Sequence, residues 1–206
     1  TPLITMIDSQ NTPNPTTTAS YEKTPEITID LIKNKIDQIK NYTPKVGVFG
    51  NSGVGKSSLC NAIFGKEVAK ISDVEACTRK PQEIFLSQTD GQGGINLVDV
   101  PGIGEDPEHH KEYIKLYVSL ASELDLILWC IKADDRNYAS GLDAYKKVAA
   151  QNPKLPVIFV VTQTDKINPH QEWNFDKKER GPTQKNNIEV KEHDVSKRFE
   201  VPTGNI

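Results

Sequence analysis

Eight residues, Gly50-Asn51-Ser52-Gly53-Val54-Gly55-Lys56-Ser57, constrain this chain more than any others. They read G-x-x-x-x-G-K-S, the pattern of a phosphate-binding P-loop. Before them stands Lys45-Val46-Gly47-Val48-Phe49, a short apolar and partly β-branched run that suits a buried strand. After them, residues 58–64 place Leu59, Cys60 and Ile63 on one helical face. Strand, glycine-rich turn and helix are the context this motif needs. Glycines let the backbone curl until successive N–H groups point into one concavity. The following helix adds partial positive charge at its N-terminus. Asn51, Ser52, Gly53, Val54, Gly55, Lys56, Ser57 and Ser58 are therefore candidate nucleotide-binding residues. Lys56, expected to face solvent in the phosphate site, would bridge phosphates as a point charge. The Ser57 hydroxyl would ligate Mg²⁺.

The rest of the chain supplies a sheet for this loop. Residues 83–88 alternate like an edge strand through Ile84 and Leu86, and residues 89–94 read as a turn. Residues 95–100 then form the second strand of a hairpin. The apolar runs 124–131 and 155–161 are strand-length and far too short to span a membrane. Helical spacing covers residues 108–123, 137–151 and 183–199. Such a pattern predicts an α/β three-layer sandwich. Its sheet is mostly parallel with one antiparallel edge strand, and helices cover both faces. Right-handed crossovers gather the loops that follow the strands at one rim.

Residues 1–23 are rich in Thr, Pro, Asn and Ser and are expected to be a disordered tail. Residues 24–43 are expected to form an amphipathic helix, with Ile29, Ile32, Ile36 and Ile39 as one apolar stripe packed on the following domain or on a partner. That domain is expected over residues 44–206. The formal net charge of −3 argues against nucleic-acid binding through bulk electrostatics, and no nucleic-acid-binding motif is present. Cys60, Cys77 and Cys130 lack metal-ligand spacing and read as buried reduced thiols of a cytoplasmic protein, and the first residues do not read as a basic-then-apolar leader.

Two further stretches fall at the rim. Asp99-Val100-Pro101-Gly102 ends a strand. Alone it could be a simple strand-ending turn. One hairpin after a P-loop, Asp99 can hold Mg²⁺ through a water, and the Gly102 N–H can approach a terminal phosphate. Thr162-Gln163-Thr164-Asp165 follows the last apolar run. Asp165 there can accept hydrogen bonds from N1–H and the N2 amino group of guanine, a donor pair that adenine lacks. Thr162 could brace the P-loop, and the Gln163 stem could lie along the base.

The order GNSGVGKS, then Cys77-Thr78-Arg79, DVPG and TQTD resembles the translation-factor class of P-loop GTPases. Within that class it is similar to the Era/TrmE-like bacterial GTPases, particularly an Era-like group found among prophage genes. The resemblance implies GTP and GDP as ligands, Mg²⁺ as cofactor, and hydrolysis of GTP in a molecular switch. It implies a metal set of Ser57, Thr78 and Asp99, with Lys56, Thr78 and Gly102 serving the reaction. Thr78 would be the switch threonine, although alone it is only a threonine in a polar loop. Three departures stand out. Thr162-Gln163 replaces the family's Asn-Lys in its base motif. Gly53 replaces the P-loop asparagine tied to potassium stimulation, so potassium activation is not implied. The final Ser-Ala turn that meets guanine is not found, so the GTP-binding domain is expected to be truncated before it. The resemblance leaves open self-association, or a protein or ribosomal partner. A nucleotide-dependent interaction module with negligible turnover is the alternative function. A P-loop kinase or ATPase fits poorly, because Asp165 stands where guanine is read.

Overall fold

A computed structural model describes residues 29–64, 80–87, 94–104 and 107–206. The expected tail, the loop holding Cys77 and Thr78, and the turn after residue 87 lie outside the described residues. The chain divides into two units, Thr1–Gln38 and Ile39–Ile206.

The first unit contributes most of helix α1, Ile29–Lys40. Leu31, Ile32, Ile36 and Ile39 are all exposed along it. The isoleucine spacing thus sets one apolar stripe along α1. Within the described part of its own unit, α1 has no second element to cover that face.

In the second unit, strand β1 (Lys45–Gly50) leads through the P-loop into helix α2 (Lys56–Phe64). Strand β2 (Gln82–Ser87) pairs antiparallel with β3 (Gly94–Asp99), which makes the expected hairpin. Helix α3 (Pro107–Leu120), strand β4 (Leu126–Lys132), helix α4 (Ala139–Gln151) and strand β5 (Val157–Thr162) follow. Helix α5 is Pro182–Phe199, with Pro182 in its first turn, where the missing N–H costs nothing. Residues 201–206 contain a short 3₁₀ turn, Thr203–Asn205.

The sheet order is β2-β3-β1-β4-β5, parallel except for β2. β1 sits in the centre. The chain leaves it for β3 on one side and β4 on the other, so the strand order reverses at its C-terminal end. A crevice opens at such a reversal, and the P-loop occupies it here.

Side chains alternate across the sheet, as strand geometry demands. Val46 and Val48 of β1 join Val54, Cys60, Leu97 and Cys130 on one face. Phe49 joins Tyr117, Ile127, Trp129, Phe159 and Phe199 on the other. Trp129 is the hub of that second core. Its ring meets those of Phe49, Tyr117 and Tyr145 edge-on at centroid distances of 5.9, 6.1 and 5.6 Å, the arrangement that ring quadrupoles favour. Among the described residues, no helix is long and apolar enough to cross a membrane.

Candidate GTP-binding site

The P-loop backbone adopts the conformation that its glycines allow. Gly53 and Gly55 have φ of +70° and +91°, a region closed to most side-chain-bearing residues. The turn delivers the chain into α2 at Lys56, so the N–H groups of the helix's first turn face the loop. Ser58 is exposed on α2.

Lys56 departs from expectation. It is buried, with 7 % of its surface exposed, and its ammonium donates to the Asn51 carbonyl at 2.9 Å. The cause is Gly102. A Cβ built on Gly102 would lie 2.5 Å from Ser52 Cα and 2.8 Å from Lys56 Nζ. Only glycine permits this approach, and it closes the backbone over the lysine.

Two backbone hydrogen bonds fix that approach. The Ser52 N–H donates to the Ile103 carbonyl at 3.0 Å, and the Ile103 N–H donates to the Gly50 carbonyl at 3.4 Å. The segment after β3 is therefore laced to the P-loop. Tyr117 of α3 adds a third tie that the sequence pattern did not single out. Its buried hydroxyl lies 2.8 Å from the Pro101 carbonyl and 3.1 Å from the Gly50 carbonyl. Burial pushes this phenol well above its ordinary pKa, so it remains a neutral donor.

Ser57 and Asp99 meet directly. The serine hydroxyl donates to Asp99 Oδ2 at 2.9 Å, and Asp99 is fully buried. A hydroxyl and a buried carboxylate, side by side, form a hard oxygen donor pair that fits Mg²⁺. A charge this far from water also needs a compensating cation or hydrogen bonds. Thr78 lies outside the described residues.

The base-motif stretch docks on the same loop. Thr162 Oγ1 donates to the Val54 carbonyl at 2.6 Å, and Gln163 Nε2 donates to the Gly53 carbonyl at 2.9 Å. Asp165 follows in a 3₁₀ turn, Thr164–Lys166, and is partly exposed. Two residues that sequence reasoning missed support this turn. Gln184, fully buried at the start of α5, donates to the Ile167 carbonyl at 2.9 Å. Arg180 Nη2 donates to Thr164 Oγ1 at 2.7 Å. Nothing in their local sequence separates them from ordinary polar residues.

P-loop, Ser57–Asp99 pair, Gly102 and the Asp165 turn thus share one rim. Against known families, the model of 50S ribosome-binding GTPases matches residues 45–163. The chain belongs to this GTPase family. It is 43 % identical to the uncharacterized protein YfjP of Escherichia coli (strain K12) over 140 residues, which cover 68 % of this chain and 48 % of that one. It is 32 % identical to GTPase Era of Alkaliphilus oremlandii (strain OhILAs) over 124 residues, 60 % of this chain and 41 % of Era. The chain spans about half the length of the curated relatives it matches. In fold it is similar to Era from Aquifex aeolicus, with a TM-score of 0.58 at 24 % identity, covering 77 % of this chain and 48 % of that chain. The family assignment and the Era-like fold agree with the resemblance carried by the four motifs.

Proposed function

We propose that this GTPase domain binds GTP, hydrolyses it to GDP and phosphate, and works as a molecular switch in the cytoplasm. One observation carries the reading. Thr162 and Gln163 are hydrogen-bonded to consecutive carbonyls of the P-loop, at Val54 and Gly53. The loop that would read guanine through Asp165 and the loop that would hold phosphate are thereby one rigid unit.

In the proposed reaction, water attacks the terminal phosphoryl group and GDP leaves. The chain's task is to stabilise charge on the transferring oxygens. Lys56 supplies a fixed positive charge, and the N–H groups at the start of α2 supply oriented dipoles. Ser57 and Asp99 would hold Mg²⁺, joined by Thr78 if the resemblance extends to that loop. When bound, the ion neutralises phosphate charge. Gly102 offers a backbone N–H to the terminal phosphate, because it carries no side chain to block contact. The order of events then makes a switch: the segment from Gly102 onward touches the P-loop, so the phosphate held there decides how that segment lies.

The family's description points to a ribosomal partner. A second copy of the chain or another protein is the competing partner. The test is multiple-turnover phosphate release with GTP and with ATP, using Lys56→Ala as control, followed by co-sedimentation with ribosomes. Release from GTP alone, lost in Lys56→Ala, is the expected result. Tight GTP binding without turnover would leave the interaction-module reading standing, and equal use of ATP would remove the role given to Asp165.

A further inference from the structure

The base-motif loop contains a grip that the motif itself does not account for. Gln163 adopts a left-handed backbone conformation, with φ of 52° and ψ of 39°, which is disfavoured for a residue with a Cβ. Three hydrogen bonds hold it there. Its Nε2 donates to the Gly53 carbonyl at 2.9 Å. Its main-chain carbonyl accepts the Lys166 N–H at 3.0 Å. Its Oε1 accepts the Lys166 ammonium at 3.1 Å. Lys166 therefore grips Gln163 twice, once at each oxygen.

The second grip has a chemical consequence. A glutamine amide can present either its oxygen or its NH₂ group to a neighbour, and a carbonyl such as that of Gly53 accepts only the NH₂. An ammonium carries donors and no acceptor, so it attracts the amide oxygen. Lys166 thus selects the orientation in which Gln163 can donate to the P-loop. The related motif places a lysine at position 163 itself. Here the positive charge stands three residues later and acts through an amide.

We propose that Lys166 is a positioning residue for guanine-nucleotide binding: through Gln163 it holds the Gly53 carbonyl and the wall beside the base. This rests on reading the rim as a guanine-nucleotide site. Lys166 is exposed, so replacing it leaves the core intact. The grip locks the loop against opening, so its loss is read in the rate of nucleotide release.

The experiment measures dissociation of a fluorescent GDP analogue from the full chain. Lys166→Met is expected to speed release about five-fold, and Lys166→Arg, which keeps a donor and a charge, is expected to restore most of the slow rate. The decisive arm is Gln163→Lys. There a lysine reaches Gly53 directly, and the ammonium at position 166 becomes a like-charged neighbour. In that background Lys166→Met should leave release unchanged or slow it. Equal acceleration in both backgrounds would mean that Lys166 is only structural, and no acceleration in either would overturn the proposal. A parent chain that fails to bind the GDP analogue overturns the nucleotide-site reading and the proposal with it, whereas normal parent binding with an inert Lys166 overturns the proposal alone.

Discussion

The hydroxyl of Tyr117 lies 2.8 Å from the carbonyl of Pro101 inside the protein. The same oxygen also lies 3.1 Å from the Gly50 carbonyl and accepts the Gly50 N–H at 3.4 Å. One side chain of α3 thus bridges the last residue of β1 and the entry to the Gly102 segment. In the proposed switch, those are the two backbone stretches that the terminal phosphate would reposition.

Tyr117→Phe should keep the ring packing against Phe49, whose centroid is 4.2 Å away, and remove only the bridge. It leaves buried carbonyls without that donor, which costs about 1–3 kcal/mol. The expected outcome is a lower denaturation midpoint and single-turnover GTP hydrolysis reduced more than GTP affinity. A variant with parental stability and parental hydrolysis would show that the hydroxyl is a passive occupant of the core.

Asp165→Asn changes one acceptor into a donor at the position proposed to read guanine. The amide repels the guanine N1–H and N2 amino donors and complements the C2 carbonyl of xanthine. Sites built around a hydrogen bond reject a mismatched partner strongly, so preference should move toward XTP by on the order of a hundredfold or more. Competition of GTP and XTP for the fluorescent GDP analogue measures it. An unchanged GTP preference would place guanine recognition elsewhere.

What the sequence could and could not reveal follows from the kind of information each residue carries. The five strands are legible because 45–49, 124–131 and 155–161 are apolar runs and 83–88 and 95–100 flank a turn signal, whereas their order across the sheet leaves no such pattern. Helix ends were less legible. Helical spacing suggested a start at residue 137, yet α4 begins at Ala139. The Asn137 side chain accepts the Ala139 N–H at 3.1 Å, a local turn that competes with helix. The motif residues were readable because backbone curl and phosphate chemistry restrict their types. Burial of Lys56 was not readable, since it depends on Gly102 closing over it from 46 residues away in the chain. Tyr117 looked like any apolar helix position, and Gln184 and Lys166 like any polar ones. Their roles arise from partners distant in sequence or from one amide orientation, and neither leaves a spacing pattern.

The buried thiols give the fold an alkaline limit. Burial pushes Cys60 and Cys130 from an ordinary value near 9.0 up to about 12 each. Tyr117 and Tyr138 are raised by burial as well, Tyr138 also by its hydrogen bond to Asp194. These groups hold their protons more tightly folded than unfolded. Their stabilisation is complete below pH 9 and falls as pH rises toward 12, at roughly 1.4 kcal/mol per unit per thiol. Lys191 opposes this, because burial lowers its pKa and folding gains as it deprotonates. The thiols and phenols outnumber it, so the guanidinium midpoint should fall steadily between pH 9 and 11. Peptide mapping after iodoacetamide at pH 8 should find Cys60 and Cys130 unmodified in the folded chain and modified once it unfolds. A flat midpoint across that range would contradict the burial argument.

The last prediction concerns rate. Ras-like GTPases orient the attacking water with a glutamine that directly follows the glycine of this segment. Here that residue is Ile103, which has no hydrogen-bonding side chain, is fully buried, and has both its N–H and its carbonyl bonded to the P-loop. It packs among Phe49, Val98, Val100 and Trp129, so its side chain cannot turn toward a phosphate without leaving the core. The chain must therefore hold the water by backbone, by another side chain, or by a partner. Ile103→Gln should not speed hydrolysis, because a buried amide at that position costs about 1–3 kcal/mol of stability and still points inward. Intrinsic hydrolysis should be slow, on the Ras-like scale of roughly one turnover per hour, and it should rise with protein concentration or on addition of cell extract. Single-turnover GTP hydrolysis across a wide concentration range, with and without extract, reads this directly. A fast rate that neither concentration nor extract alters would mean that the domain carries a complete water-positioning group of its own.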